Sequence, residues 1–262
     1  MNVKSVVKVM NFHALLRVES SRRKAELYGT MESELASMMR IIMNNRNLRL
    51  DKLVKLPDKN LPKLKIYIGS DLGFCGSINS SVNSILTNGE KCDRVVIGKR
   101  LRKTDEDAIY MTRDDADEDL SELREIFRKA LEAKTWSSVE LVYNHYYNIS
   151  SIKRVEKTIY PLSPGSGSAQ SDEKADFIIE GDPSTIFSEM MLLYMIYEFK
   201  IAMTGAYASE NVLRQNATTE SLKKLDEREE EEKRVMLKER TRQSVTKTID
   251  NYVKQKVLEN NG

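Results

Sequence analysis

The chain has 262 residues, 31% of them charged and 40% hydrophobic, a balance that suits one globular body with solvated helical extensions better than a single compact sphere. Its 42 basic and 40 acidic residues leave a net charge of +2, which excludes a global field drawing the protein onto nucleic acid or anionic lipid. Two cysteines, Cys75 and Cys92, and two histidines, His13 and His145, are too few for a disulfide framework or a tetrahedral zinc site; no metal or cofactor is expected, and a reducing compartment is the natural setting.

The opening stretch never accumulates the apolar core of a secretory signal, and no run approaches the roughly 20 apolar residues of a membrane span, so no direct membrane insertion is predicted. The nearest candidate, Met190 to Ala206, is broken by Glu198 and Lys200 and reads as a buried helix. From Val3 to Asn45 there is no proline and a single glycine, Gly29, while apolar residues recur at three- and four-residue spacings, which predicts one long amphipathic helix. Its first half carries Lys4, Lys8, Arg17, Arg22, Arg23 and Lys24 against Glu19, a basic stripe.

Pro57 and Pro62 bracket a connection, after which Lys63 to Gly69 (KLKIYIG) suits a strand. In the serine- and glycine-rich stretch that follows, Gly73 and Gly76 form a strand-to-helix turn, and Ser77 or Asn79 is placed to cap a helix running to about Leu86. Asp93 to Arg100 (DRVVIGKR) predicts a second strand, and DDADEDLSELREIFRKALEA a helix with an acidic start suited to the helix dipole. The segments SSVELVYNHYYN and SIKRVEKTIYPL read as a hairpin, followed by a Gly/Ser loop and a further strand at 176 to 181 (DFIIEG).

From Ser184 to about Glu259 the sequence lacks proline and holds one glycine, Gly205, which predicts a second long helix. The run DEREEEEKR between Leu225 and Val235 cannot hold a dry seam and is expected to face basic residues of the first helix, with Met10, Leu225, Met236 and Val245 packed for stiffness. The resulting plan is a mixed α+β and α/β fold, two long terminal helices forming a shaft with a small Rossmann-like α/β domain between them. Its segments are 1–55, 56–183 and 184–262.

Chemistry finds little support in this plan. Ile97-Gly98-Lys99-Arg100 lacks the upstream glycine and the hydroxyl residue of a phosphate loop, and Ser70, Asp71 and Ser77 lie in no nucleophile elbow. Cys75 at a helix start could be modestly reactive, or a packed small hydrophobe. Trp136 reads as a core anchor, and the tyrosines at 143, 146 and 147 as packing residues rather than base-stacking ones, since their segment carries no basic residue. The basic stripe suits nucleic acid, a membrane surface or an acidic partner; the acidic cluster on the opposite helix favours protein.

Ser70-Asp71-Leu72-Gly73-Phe74-Cys75-Gly76-Ser77-Ile78-Asn79 is similar to the S-D-R-G-L-C-G-x-x-N turn of the γ subunit of F-type ATP synthases, with Leu72 in place of the family arginine. Ala208-Ser209-Glu210 with Arg214 and Ala217 resembles the family's A-S-E-x-x-x-R-x-x-A, and Arg242-Gln243 with Val245-Thr246-Lys247-Thr248-Ile249 resembles its R-Q and I-T-x-E-[LIV], one residue short between them. The family glutamates there are Thr248 and Asn251. Ser20 to Glu26 resembles S-K-[LM]-R-K-A-[EQ], and Ile97 to Arg100 resembles I-G-K-[KR], a structural element of that family.

This resemblance implies an antiparallel coiled coil of the terminal helices within a ring of α- and β-type subunits that carry the ATP chemistry. The body domain would dock on a membrane c-type ring and an ε- or δ-type small stalk subunit. The chain would be a non-catalytic rotor, peripheral on an energy-coupling membrane, the bacterial inner membrane on its cytoplasmic side or the mitochondrial inner membrane on its matrix side. By the same resemblance Arg242, Gln243 and Thr246 make polar coupling contacts, Arg22, Arg23 and Lys24 form a second contact set, and Ser70, Asp71, Gly73, Cys75 and Gly76 form the turn of the body. The competing readings are a coiled-coil scaffold, or a γ-like subunit of a related motor with another task. An enzyme built on the body fails for want of a reactive constellation.

Overall fold

The computed structural model describes residues 3–43, 57–88, 92–103, 107–148, 151–162 and 180–260. Two compact units emerge, Met1–Asn11 with Asn216–Gly262, and Phe12–Gln215. Both terminal helices form as expected: α1 spans Val3–Met43 and α5 spans Pro183–Asn260, and each contributes to both units.

Within Phe12–Gln215 the body is a five-stranded sheet. Its strands are β1 (Lys63–Ile68), β2 (Asp93–Ile97), β3 (Ile109–Met111), β4 (Ser138–Asn148) and β5 (Ser151–Tyr160), in the order β3-β2-β1-β4-β5. β1 pairs in parallel with β2 and β4, β2 in parallel with β3, and β5 returns antiparallel to β4 as the predicted hairpin. Parallel strands linked through helices, α2 (Ile78–Asn88) between β1 and β2, give the expected Rossmann-like core.

Both faces of this sheet are covered, which is why β1 reads as a near-continuous apolar run. Leu64, Ile66 and Ile68 point to one face, where they meet Val95, Leu141 and, from the helices, Phe127, Met195 and Phe199. Tyr67 points to the other, against Val82 and Leu86 of α2. The period of two along the strand sorts these residues between the layers. Lys65, on the Tyr67 side, is buried and paired with Glu140 (3.3 Å) and Glu156 (3.7 Å).

Several expectations change. The acidic helix is not one helix: it divides into α3 (Arg113–Glu118) and α4 (Ser121–Arg128), the latter continuing into a wider turn over Lys129–Ala133. Asp119 leaves the helical region (φ −124°, ψ 101°), and its carboxylate accepts the Ser121 amide at 2.8 Å, so a local side-chain bond wins over helix continuation. Thr112 starts α3 with a capping box to Asp115. β3 goes unforeseen because three residues carry no readable period. The predicted strand at 176–181 lies mostly outside the described residues, as do the Gly/Ser loop and the hairpin tip.

In the unit of Met1–Asn11 and Asn216–Gly262, the two helices run antiparallel. Asn11 donates to Thr218 and Thr219 (2.9 and 2.7 Å), and Lys4, a turn and more earlier, reaches Asp226 (2.5 Å) and Glu229 (2.7 Å) further along α5. The Lys4 pairs bear out the expected charge pairing of the acidic run. The packed role given to Met236 and Val245 does not hold: they are 65% and 53% exposed, beyond the level of Asp226 and Glu229 where Lys4 of α1 meets α5.

Candidate functional site

The end of β1 is built from close backbone contacts within Phe12–Gln215. Gly69 N–H donates to Ile97 O (2.8 Å), Gly98 N–H to Met111 O (3.0 Å) and Arg100 N–H to Ser70 O (3.0 Å), which joins the ends of β1, β2 and β3. Gly98 has φ +118°, and a Cβ there would lie 2.9 Å from Gly69 C and 3.1 Å from Ser70 N, so only glycine fits. Ile97 to Arg100 is thus the brace of a turn rather than a phosphate loop.

Asp71 ties this brace to α3. Its Oδ1 accepts the Lys99 amide at 2.8 Å and its Oδ2 the Arg113 amide at 3.1 Å. Ser70 donates its amide to Asn79 Oδ1 (3.0 Å), receives Asn79 Nδ2 on its hydroxyl (2.8 Å) and donates that hydroxyl to Leu72 O (3.0 Å). Asn79, one of two proposed helix caps, therefore faces back to hold the turn. Cys75 is 3% exposed with Sγ 3.4 Å from Ser70 Oγ, a packed thiol as the blander reading had it. Phe74 (φ +62°) and Gly76 (φ +59°) adopt left-handed backbone here, and Phe74 tolerates it while 73% exposed.

The second motif meets the first at α5. Ser209, Glu210 and Asn211 are at most 1% exposed. Ser209 Oγ reaches Asn144 O of β4 (3.0 Å) and Gly205 O (2.9 Å), and Asn144 in turn donates to Ile78 O (3.1 Å) and accepts from Ser81 (3.0 Å). Glu210 is the hub, one carboxylate oxygen taking Arg113 and the other Arg214. Arg113 also donates to Gly69 O (2.7 Å), and Arg214 to Gly73 O (3.3 Å) and Asn211 Oδ1 (2.8 Å). One buried carboxylate thus gathers two guanidiniums that each grip the backbone of the turn.

Arg113 is the residue that sequence reasoning missed. It occupies the first position of α3, where the helix dipole disfavours a cation and the neighbours are Asp114 and Asp115. A lone arginine out of place in an acidic helix start was the available signal; it stands there because its side chain, 8% exposed, serves Glu210.

Of the predicted site residues, Ser70, Asp71, Gly73, Cys75 and Gly76 come together as one turn against Glu210 and Arg214. Arg22 bonds Glu26 (2.6 Å) and Glu19 (3.2 Å), and Arg23 bonds Glu19 (3.1 Å), along their own helix. Those two arginines hold the Glu19 carboxyl below its usual range. Lys24 lines a cleft beside Arg113. In the other unit, Arg242, Gln243 and Thr246 lie on an exposed stretch of α5, where Thr246 Oγ1 donates to Arg242 O (3.0 Å) and Gln243 Nε2 to Glu239 (3.4 Å). His13 is on the surface of α1. Tyr143 is packed at 4% exposure, whereas Tyr147 is 57% exposed. Trp136 anchors the base of the sheet, its indole N–H on Asp93 (2.6 Å). Among the described residues no His, Cys, Asp or Glu group could hold a metal ion, and no helix is long and apolar enough to cross a membrane.

The family model described as ATP synthase matches residues 1–249. The chain is 26% identical over 240 residues to the ATP synthase gamma chain of Clostridium perfringens strain 13, covering 86% of this chain and 83% of the relative. It is 27% identical over 233 residues to that of Clostridium novyi, covering 82% and 79%. Among solved structures, a chain of the Tetrahymena thermophila mitochondrial ATP synthase central stalk and c-ring superposes with a TM-score of 0.55 at 18% identity, covering 82% of this chain and 99% of that one. That likeness is one of fold.

Proposed function

This chain belongs to the ATP synthase γ family, and on that premise we propose that it is the central-stalk rotor of an F-type ATP synthase, coupling ion-driven rotation of a membrane ring to cycling of catalytic sites on other subunits. It carries no catalytic site of its own. Its partners are a head of α- and β-type subunits, a small ε- or δ-type stalk subunit and a c-type ring, and it is peripheral on an energy-coupling membrane.

The observation that carries this reading is Glu210. A rotor must pass torque between the body that is driven and the helix that drives, without slip at their junction. Glu210 lies on the helix, and its partner Arg113 lies on the body, with Ser209 bonded to β4 beside them. In a dry site such an ion pair resists displacement strongly, since parting it strands a buried charge. Nothing in this constellation offers a nucleophile, an acid or a substrate cavity. Ser70 hydroxyl bonds to Leu72 and Asn79, without a base. Coupling itself is a difference in interaction energy between states, so an asymmetric helix turning inside three sites biases each differently. On this reading Arg242, Gln243 and Thr246 supply polar contacts in one orientation, and their exposure along α5 supports it.

The test is composition: the complex purified through this chain should contain three copies each of two related ATPase chains and one of this chain. A monomer that alone hydrolyses a small molecule would overturn the proposal.

A further inference from the structure

Within Phe12–Gln215, α5 is gripped on two of its sides. From Glu198 to Arg214 it is an unbroken helix, and at about 3.6 residues per turn each position lies about 100° round the axis from the one before. Gly205 and Ser209 therefore leave the axis within about 20° of Glu198, whereas Glu210 and Arg214 leave it about 120° and about 160° away.

The first side faces the hairpin. Lys157 of β5 donates to both Glu198 oxygens at 2.6 and 2.7 Å, with the Tyr194 hydroxyl beside the same carboxylate, and Glu198 is 1% exposed. One strand over, Ser209 donates to Asn144 O of β4, and Gly205 admits His145 so closely that a Cβ would stand 3.0 Å from its Nδ1. The second side faces α3 and the turn, through Arg113 on Glu210 and Arg214 on Gly73 O. β5 is one edge of the sheet and α3 follows β3 at the other, so the two grips draw on opposite edges of the body.

We propose that the β4–β5 hairpin is the second jaw of a clamp on α5, and that the Lys157–Glu198 pair bears torque there. On the rotor reading, from which this follows, load then passes from body to helix at two junctions instead of one. A helix held along a single line can hinge about that line. Held along two lines well apart, it cannot turn in either sense without parting a bond. Apolar contact resists such rolling weakly, since it is non-directional and a rolling helix keeps much of it. A charge-assisted pair is strong only in its own geometry, and parting this one leaves the Glu198 carboxylate buried without its counter-charge.

The test is the assembled complex in sealed vesicles, moving ions on ATP against the gradient it builds. Lys157→Gln, and the paired change Lys157→Met with Glu198→Met, should leave ATP turnover normal while the gradient is collapsed. Under load both should stop accumulating ions at a gradient at least about twofold smaller than wild type, with ATP still consumed, because the parted junction no longer resists. Lys157→Arg should keep the wild-type limit, as should Glu125→Gln, which breaks an exposed pair with Arg128 on α4. Matched apolar residues can replace a buried pair without loss of stability, so the urea midpoint of the paired variant should not fall, which separates torque from folding. A wild-type limit in either variant, an equal loss in Glu125→Gln or Lys157→Arg, or a loss already present without a gradient that tracks a fall in urea midpoint would each overturn the clamp. A wild-type complex that moves no ions would overturn the rotor reading instead.

Discussion

Arg113 and Glu210, 97 positions apart in sequence, form a buried salt bridge between the first turn of α3 and the body-packed part of α5. Glu210→Gln keeps the shape and removes the charge, leaving two buried guanidiniums facing a neutral amide. Breaking a buried pair in this way costs about 3–5 kcal/mol, and urea unfolding of the chain should show a loss of that size. Arg113→Lys should not rescue, because an ammonium cannot hold Glu210 and Gly69 O together in the fork geometry of arginine. A loss no larger than that of an exposed pair would remove the junction from its central place.

The glycines give a prediction of opposite signs. At Gly98 a methyl group meets backbone at 2.9 Å in a left-handed conformation, so Gly98→Ala should destabilise by at least about 2 kcal/mol. Gly29 lies inside α1 with nothing within 4 Å of a new Cβ, and Gly29→Ala should stabilise by about 0.5–1 kcal/mol. Thermal denaturation of the two variants checks both signs.

These examples also show what the sequence made legible. Both long helices followed from missing prolines and the apolar spacing of residues such as Ala14 and Met39, and β1 from its buried apolar run, since burial imposes those patterns directly. The turn at Ser70 to Gly76 was legible by resemblance. That Glu210 would sit against it was not, because the pairing depends on Arg113, whose place in an acidic helix has no local cause. Likewise the break at Asp119 rests on one side-chain bond that composition does not reveal, and apolar spacing alone does not distinguish the exposed Met236 and Val245 from packed positions.

His145 should give the chain a pH dependence. Burial, and then the charge of Lys157, hold its imidazole below the ordinary 6.5. The rings of Tyr143 and Tyr147 flank it (5.9 and 4.6 Å between centroids), and Gly205 of α5 closes over its Nδ1, which is buried and unpartnered. Between its depressed folded value and 6.5 the unfolded chain binds more protons than the folded one. Stability therefore rises with pH through that window and levels off above 6.5. Burial pushes Glu140 up, but Lys65 and Lys63 outweigh it and hold its carboxyl below 4.5, so its loss of stability on acidification falls lower on the scale. Denaturant titrations across about pH 5 to 8 should show the histidine slope, and His145→Gln should flatten it; a slope that survives this substitution has another origin.

For the coupling contacts, Arg242→Ala should reduce ATP turnover linked to ion movement far more than Arg102→Ala, an exposed arginine of the body. The measurement is ion-gradient formation per ATP in reconstituted complex. Equal effects would count against a role for Arg242, Gln243 and Thr246.

The exposed run of α5 from Val235 to Val253 carries a consequence for amide exchange. Upstream, around Met195 to Val212, the amides are sealed by the body and should exchange only when that body opens. Downstream, each turn is held by its own hydrogen bonds, so deuterium should enter the isolated chain by local fraying, orders of magnitude sooner. Protection appearing there on assembly would then map, residue by residue, how far a partner encloses the helix.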